Sequence, residues 1–365
     1  MELKIMKEDF LKALTKAQGV VEKRHTMAVL SNVLLNAEKG NLVISATDLE
    51  VGLETNVPAQ TLKPGKITVS CRSLHDVVRE AAAAEIKLTL GQNDRVELSS
   101  GSARFNLPGL PAKDFPSISA STSKPWALDC KVLGSMLDKT AYAVSADETR
   151  HNLAGILIQG VGSKRVRVVA TDGHRLSMVE EELEGGDWSG VKVIIPRKGV
   201  SELRKMASAG GTLFVSIGDK NLTAKREHEA IHIRLVDAEY PDYERVLPSK
   251  ADRVCGVERA QLIGALRRVS ILSNERSRAV VLTLSPSVLE ISISNPDLGE
   301  AREEVAVEYL GDKLNVGFNA RYILDILEVM QDEKINLLFQ SELAPCMIKS
   351  EKDKGFVGIV MPMRI

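Results

Sequence analysis

The sequence predicts an α+β fold made of three tandem repeats, each with two helices packed on antiparallel sheet. Three observations predict it. A polar corner between two alternating apolar strands recurs three times along the chain. An amphipathic helix stands ahead of each corner. After each corner a strand feeds a second helix, and each copy closes near a proline.

The corners set the register. "LVISATDLEVGLE" begins at Leu42, "VRVVATDGHRLSM" at Val166 and "VLEISISNPDLGEA" at Val288. Asp48 and Asp172 lie 124 residues apart, and so do Ala170 and Ser294. In all three, alternation into a polar turn and out again reads as a strand hairpin. The leading helix carries its apolar residues at Phe10, Leu11 and Leu14 in the first copy. In the second they are Leu133, Met136, Leu137, Thr140, Ala141 and Val144; in the third, Leu262, Ala265, Leu266 and Val269. Spacings of three and four put each set on one face. The second helices follow the strands of "ITVSCRSLHDVV", "KVIIPRKGVSEL" and "LNVGFNARYILDIL", where Pro196 suits a helix start. The copies close at "FPSI" from Phe115, "YPDYERVLP" from Tyr240 and "VMPMRI" from Val360. The Ser/Thr/Pro-rich stretch Ser117 to Pro125 and the segment from Pro248 divide the chain into domains 1–120, 125–248 and 249–365.

Composition narrows the class. With 365 residues, 44% hydrophobic and 27% charged, the chain has material for real cores in two or three domains. No run approaches the roughly 18 apolar residues of a membrane span. "MELKIMKEDF" lacks the apolar run of a signal peptide. Cys71, Cys130, Cys255 and Cys346 are far apart with no CxxC pair, which reads as free buried thiols in a reducing cytoplasm. A formal net charge of −1 lacks the usual basic signature of a nucleic-acid binder.

"VVATDGHRLSM" invites an enzymatic reading, a hydrolase using Asp172 and His174 beside Thr171 and Arg175. Such a site needs an orienting third group and an oxyanion or metal partner, and the sequence offers neither. A corner repeated in every copy is instead a turn former. Asp172–Gly173 reads as a two-residue hairpin loop with positive φ at both positions. The remaining histidines show no ligand spacing beyond His228 and His232, read as alternate strand residues. The expectation is a non-enzyme with no catalytic residue, no metal and no cofactor.

Charge sorts by element. "RKGVSELRK" carries Arg197, Lys198, Arg204 and Lys205 against Glu202, and "ALRRVSILSNERSR" carries Arg267, Arg268, Arg276 and Arg278 against Glu275. The strand segments "VEEELEGGD" and "GEAREEVAVE" are acidic. A near-neutral chain can thus present basic helices and an acidic exterior.

"ATDGHRL", "IIPRKGVSEL", "YPDYERVLP", "ILSNERSR", "GFNARYILDIL" and "VMPMRI" occur in an order that resembles the bacterial DNA polymerase III β subunits, the sliding clamps. The resemblance covers the whole chain. It implies the DNA-clamp fold, with a head-to-tail homodimer closing a six-domain ring around double-stranded DNA, helices inward. It implies a processivity factor for the replicative polymerase, without catalysis of its own. DNA-contacting positions of the family fall on Arg24, Arg72, Arg79, Arg150, Arg197 and Lys198. Such cations on phosphates position without reading sequence. His25 stands where the family commonly has proline.

The resemblance also implies a groove between the second and third domains. It binds short motifs of the polymerase α subunit, the clamp loader, other polymerases and repair proteins. Its residues are Leu153, Thr171, Gly173, His174, Arg175, Leu176, Pro241, Arg245, Val246, Val360, Met361, Pro362 and Met363, with Leu176, Val246 and Met361 as an apolar floor. Pro345 stands near it where some members carry serine. The dimer seam falls on Phe105 and Leu107 against Ile271 and Leu272. A protein-binding scaffold without DNA encirclement is the competing reading, and it leaves the basic helices unexplained.

Overall fold

Each leading helix buries the same four positions, and this decides how it lies on its sheet. The computed structural model describes residues 1–22, 27–147, 149–248, 252–274 and 277–364. Among them are the helices α1 (Lys7–Gln18), α2 (Cys71–Glu80), α3 (Cys130–Ala141), α4 (Arg197–Ser208), α5 (Arg259–Val269) and α6 (Ala320–Val329). The fourth, seventh, eighth and eleventh residues are buried in α1 (Phe10, Ala13, Leu14, Ala17), in α3 (Leu133, Met136, Leu137, Thr140) and in α5 (Leu262, Ala265, Leu266, Val269). That is one stripe of a 3.6-residue helix. Leu11 and Ala141 lie off the stripe and are half-buried. Thr140 sits in it because its hydroxyl donates to the Met136 carbonyl at 2.8 Å. Polar caps start two of the second helices: Ser70 accepts from the Ser73 N–H at 3.3 Å and Asn319 from the Arg321 N–H at 2.9 Å.

The chain forms two compact units, Met1–Cys130 with Ser201–Leu235, and Lys131–Val200 with Val236–Ile365. All three cuts fall inside the second repeat, so its strands are shared out between two sheets. In the first unit, the strand after the first corner, Val51–Pro58, pairs with Glu229–Arg234 of the second repeat. In the second unit, the strand after the second corner, Arg175–Glu182, pairs with Phe356–Val360 of the third. Each of these two corner strands is therefore completed by the closing strand of the next repeat.

Two edges stay open by the same logic. The third corner strand, Gly299–Glu308, pairs with Val288–Asn295 on one side, but on the other, among the described residues, only Val307 and Glu308 meet a neighbour. In the first repeat the closing strand, Ala103–Leu110, pairs with Arg95–Ser100 through Ala103 to Pro108. Among the described residues its other side is occupied only at Gly109 and Leu110. His232 lies on the strand Glu229–Arg234 as anticipated, whereas His228 sits in the turn before it, where the hairpin from Asn221–Arg226 reverses. No described helix is long and apolar enough to cross a membrane.

Candidate functional site

The corner at Thr171–Arg175 is built by its own side chains. Thr171 Oγ1 donates to the Arg175 carbonyl at 2.6 Å and accepts from the Gly173 N–H at 3.1 Å. Asp172 Oδ1 accepts from the N–H groups of His174 and Arg175, both at 3.0 Å. The first repeat makes the same four bonds. Thr47 Oγ1 donates to the Val51 carbonyl and accepts from the Leu49 N–H, while Asp48 Oδ1 accepts from Glu50 and Val51. In the third, Asn295 Oδ1 accepts from Asp297 at 3.0 Å. The turn is wider than a two-residue loop: pairing closes at Thr171 opposite Leu176, and of Asp172 and Gly173 only Gly173 has positive φ, at 89°. A carboxylate that captures two N–H groups favours this wider turn.

Arg175 then ties the corner to two other elements. Its Nε donates to Asp172 Oδ2 at 3.1 Å, its Nη1 to Asp325 Oδ2 on α6, and its Nη2 to the Tyr142 carbonyl at 2.6 Å. The guanidinium also lies 5.3 Å from the Tyr142 ring centre and 4.7 Å from that of Tyr322. Burial pushes the phenol of Tyr142 well above its ordinary pKa. Both carboxylates are thereby committed to structure. His174 lies with its ring 6.2 Å from that of Tyr322, interplanar angle 15°. Among the described residues no carboxylate or hydroxyl bonds its imidazole, and no cluster of metal-binding side chains occurs. Sequence reading missed Tyr142, Tyr322 and Asp325. The last two, three apart in "RYILDIL", share a helix face, which is the signal that could have found them.

The C-terminal segment lies directly on this corner. Arg175 stands opposite Val360 in the sheet, the Met361 N–H donates to the His174 carbonyl at 2.9 Å, and the Met363 N–H to that of Gly317 at 2.8 Å. Val246, Met361, Pro362 and Met363 are half-buried, while Pro241, Arg245, Gly173 and His174 are exposed. Arg245 is held by Asp242 at 2.8 Å. Thr171, Leu153 and Val360 are buried, and Leu176 is only 2% exposed. Leu176 packs in a core with Leu157, Val169, Tyr240, Tyr243 and Ile359, against which Val246 rests. The apolar floor expected of Leu176 is thus interior. The accessible apolar surface belongs to Val246 and the Met361–Met363 segment.

The expected cations fare unevenly. Arg24, with His25, lies outside the described residues. The Arg72 side chain is 90% exposed and 3.9 Å from Asp76, and Arg79 pairs with Asp76 and Glu80. Arg197 is exposed and Lys198 half-buried. Arg150 is exposed, yet its Nη1 donates to the Asp172 carbonyl at 2.8 Å. Its guanidinium lies on Gly173, where a β-carbon would stand 3.2 Å from Nη2. Other helix cations are neutralised locally: Lys12 by Glu8, Lys205 by Glu202, Arg267 by Glu328 and Arg268 by Glu303. The basic character of the helices is therefore weaker than a residue count suggests. Of the seam residues, Phe105 and Ile271 are exposed, Leu107 and Leu272 half-buried.

Comparison with known proteins agrees with this architecture along the whole chain. Residues 1–119, 127–242 and 244–364 match, in turn, the N-terminal, central and C-terminal domains of the DNA polymerase III beta subunit. The Beta sliding clamp of Caulobacter vibrioides is 36% identical, and that of Pseudomonas aeruginosa also 36%, each with both chains fully covered. Among solved structures, the C. crescentus beta sliding clamp superposes with a TM-score of 0.96 at 34% identity. A sliding clamp of Bartonella birtlesii bound to griselimycin gives 0.95 at 34%, again with full coverage of both chains. On these matches and on its three repeated domains, the chain belongs to the DNA polymerase III beta subunit family, the beta sliding clamps.

Proposed function

We propose that this chain encircles double-stranded DNA as a homodimeric ring and confers processivity on the replicative polymerase, with no catalytic step of its own. One observation carries the reading. Both junctions within the chain are made by a corner strand and the next repeat's closing strand, and among the described residues one strand of each kind keeps most of one side open. Two unlike open edges joined head to tail close into a ring. Phe105 and Leu107 beside one edge, and Ile271 and Leu272 near the other, supply apolar cover for the seam. The domains of the ring are 1–120, 125–248 and 249–365, and it works in the cytoplasm.

DNA is held by enclosure. Arg24, Arg72, Arg79, Arg150, Arg197 and Lys198 touch phosphates weakly, in keeping with the local neutralisation of neighbouring cations and a net charge of −1. Polymerase, clamp loader and repair proteins dock short motifs on Val246 and Met361 to Met363, rimmed by His174, Pro241 and Arg245. Thioether side chains adapt to varied partners. The test is retention on DNA: clamp loaded on nicked circles persists and leaves quickly once the circle is linearised. Equal retention on both forms overturns the reading in favour of a scaffold.

A further inference from the structure

The tenth residue of each leading helix is a cation, and its partner differs in one repeat. In α1 it is Lys16, which pairs with Glu229 at the start of the second repeat's closing strand. In α3 it is Lys139, which pairs with Asp353 in the turn ahead of the third repeat's closing strand and lies 5.9 Å from the Phe356 ring centre. The four buried positions align these helices without ambiguity. Both pairs bridge one repeat to the next where the corner strand meets its partner, and both carboxylates are mostly covered, at 19% and 24% side-chain exposure. In α5 the same position is Arg268. It turns back onto Glu303 of its own repeat, through Nε at 2.9 Å and Nη2 at 2.5 Å.

The reason lies in the edge that the third repeat has to meet. The closing strand of the first repeat begins at Ala103, which stands opposite Ser100 as Glu229 stands opposite Arg226. Its turn reads Ser100-Gly101-Ser102-Ala103 and carries no acid. We infer that the helix-to-strand ion pair is a latch present at both junctions within the chain and missing at the junction between protomers, where Arg268 is parked on Glu303. The seam thereby lacks one ion pair that both junctions within the chain have, and subunits exchange the faster for it. This rests on the head-to-tail dimer proposed above.

Supplying the missing acid tests it. Dimers of wild type, Ala103→Glu, Arg268→Gln and the double variant, labelled with donor and acceptor dyes, are mixed and subunit exchange is followed. Ala103 is exposed at the start of its strand, and thermal melts confirm that each variant folds. Ala103→Glu slows exchange roughly three- to fivefold at low salt, as one added ion pair does. The gain fades at high salt and disappears in the Arg268→Gln background. Unchanged exchange, or slowing that survives Arg268→Gln, overturns the latch while leaving the dimer intact. A wild type that is monomeric by light scattering overturns the dimer and the latch together.

Discussion

Leu49 and Gly173 occupy the same left-handed position at equivalent corners, with φ of 78° and 89°. A leucine there bears about 1–2 kcal/mol of backbone strain that glycine escapes. Glycine costs about 0.5–1 kcal/mol of unfolded-chain entropy in return. Leu49→Gly is therefore close to neutral in thermal melts. Gly173→Ala lowers stability by about 1–2 kcal/mol, because it adds strain and displaces the Arg150 guanidinium packed on it. Equal losses at both sites would mean that the two corners are not equivalent.

Arg175 predicts a larger effect. Its side chain is 11% exposed, and both carboxylate partners are 16% exposed. Truncation to Ala leaves Asp172 without its cation and Asp325 with Arg321 alone, at 3.5 Å, and costs about 3 kcal/mol. Arg175→Lys recovers little, since an ammonium cannot span Asp172, Asp325 and the Tyr142 carbonyl in one plane. Urea denaturation followed by circular dichroism measures both. Asp325→Asn combined with Arg175→Ala should cost less than the sum of the single losses.

The contrast between these two sites shows what was legible in the sequence. The corners were, because Thr47, Asp48, Thr171 and Asp172 bond to backbone no more than four residues away, and such chemistry repeats with the chain. The buried stripe of α1, α3 and α5 was legible for the same reason of local period. The pairing of Arg175 with Asp325 spans 150 positions, and no local pattern announces it. Nor did the shared sheets show, since alternation marks a strand without naming its neighbour. Leu176 was misplaced by the same limit: it faces a core assembled from Leu157, Tyr240 and Ile359.

Partner binding separates surface from core. Met363→Ala and Val246→Ala each weaken a labelled peptide from the polymerase C-terminus about five- to tenfold in fluorescence anisotropy. Each removes about 1–1.5 kcal/mol of apolar contact. Their melting temperatures stay within a few degrees of wild type. Leu176→Ala behaves in the opposite way, losing about 2–5 kcal/mol of stability because it leaves a cavity. Unaltered peptide affinity in both surface variants would place the groove elsewhere.

The thiols should be silent. All four cysteines are buried, and burial pushes the Cys71 and Cys255 thiols up to about 12. At pH 8 the folded protein releases almost no chromophore from Ellman's reagent within minutes, and all four react in guanidinium chloride. Rapid reaction of any one in the native state contradicts this burial.

Acid should loosen the first junction. Glu54 Oε2 lies 3.4 Å from His232 Nε2, and this close approach of the imidazole holds its carboxyl below the usual carboxylate range. A carboxyl depressed on folding contributes stability that is full above the unfolded pKa near 4.3 and is lost as pH falls through the lower folded value. Glu54→Gln therefore flattens the acid limb of the stability curve and changes little at pH 7. Amide exchange at Ile231 and Ile233, whose strand faces Glu54, reports it directly.

The sharing of strands between repeats reaches back to synthesis. As the chain leaves the ribosome, Val51–Pro58 emerges early but finds its neighbour only when Glu229–Arg234 appears. Arg175–Glu182 waits for Phe356–Val360 of the third repeat. Neither of the first two repeats can finish folding on its own schedule, so a nascent clamp carries an unfinished sheet until the next repeat's closing strand is made. A premature stop within the third repeat would strand Arg175–Glu182 as an adhesive edge, and aggregation or proteolysis of the product follows.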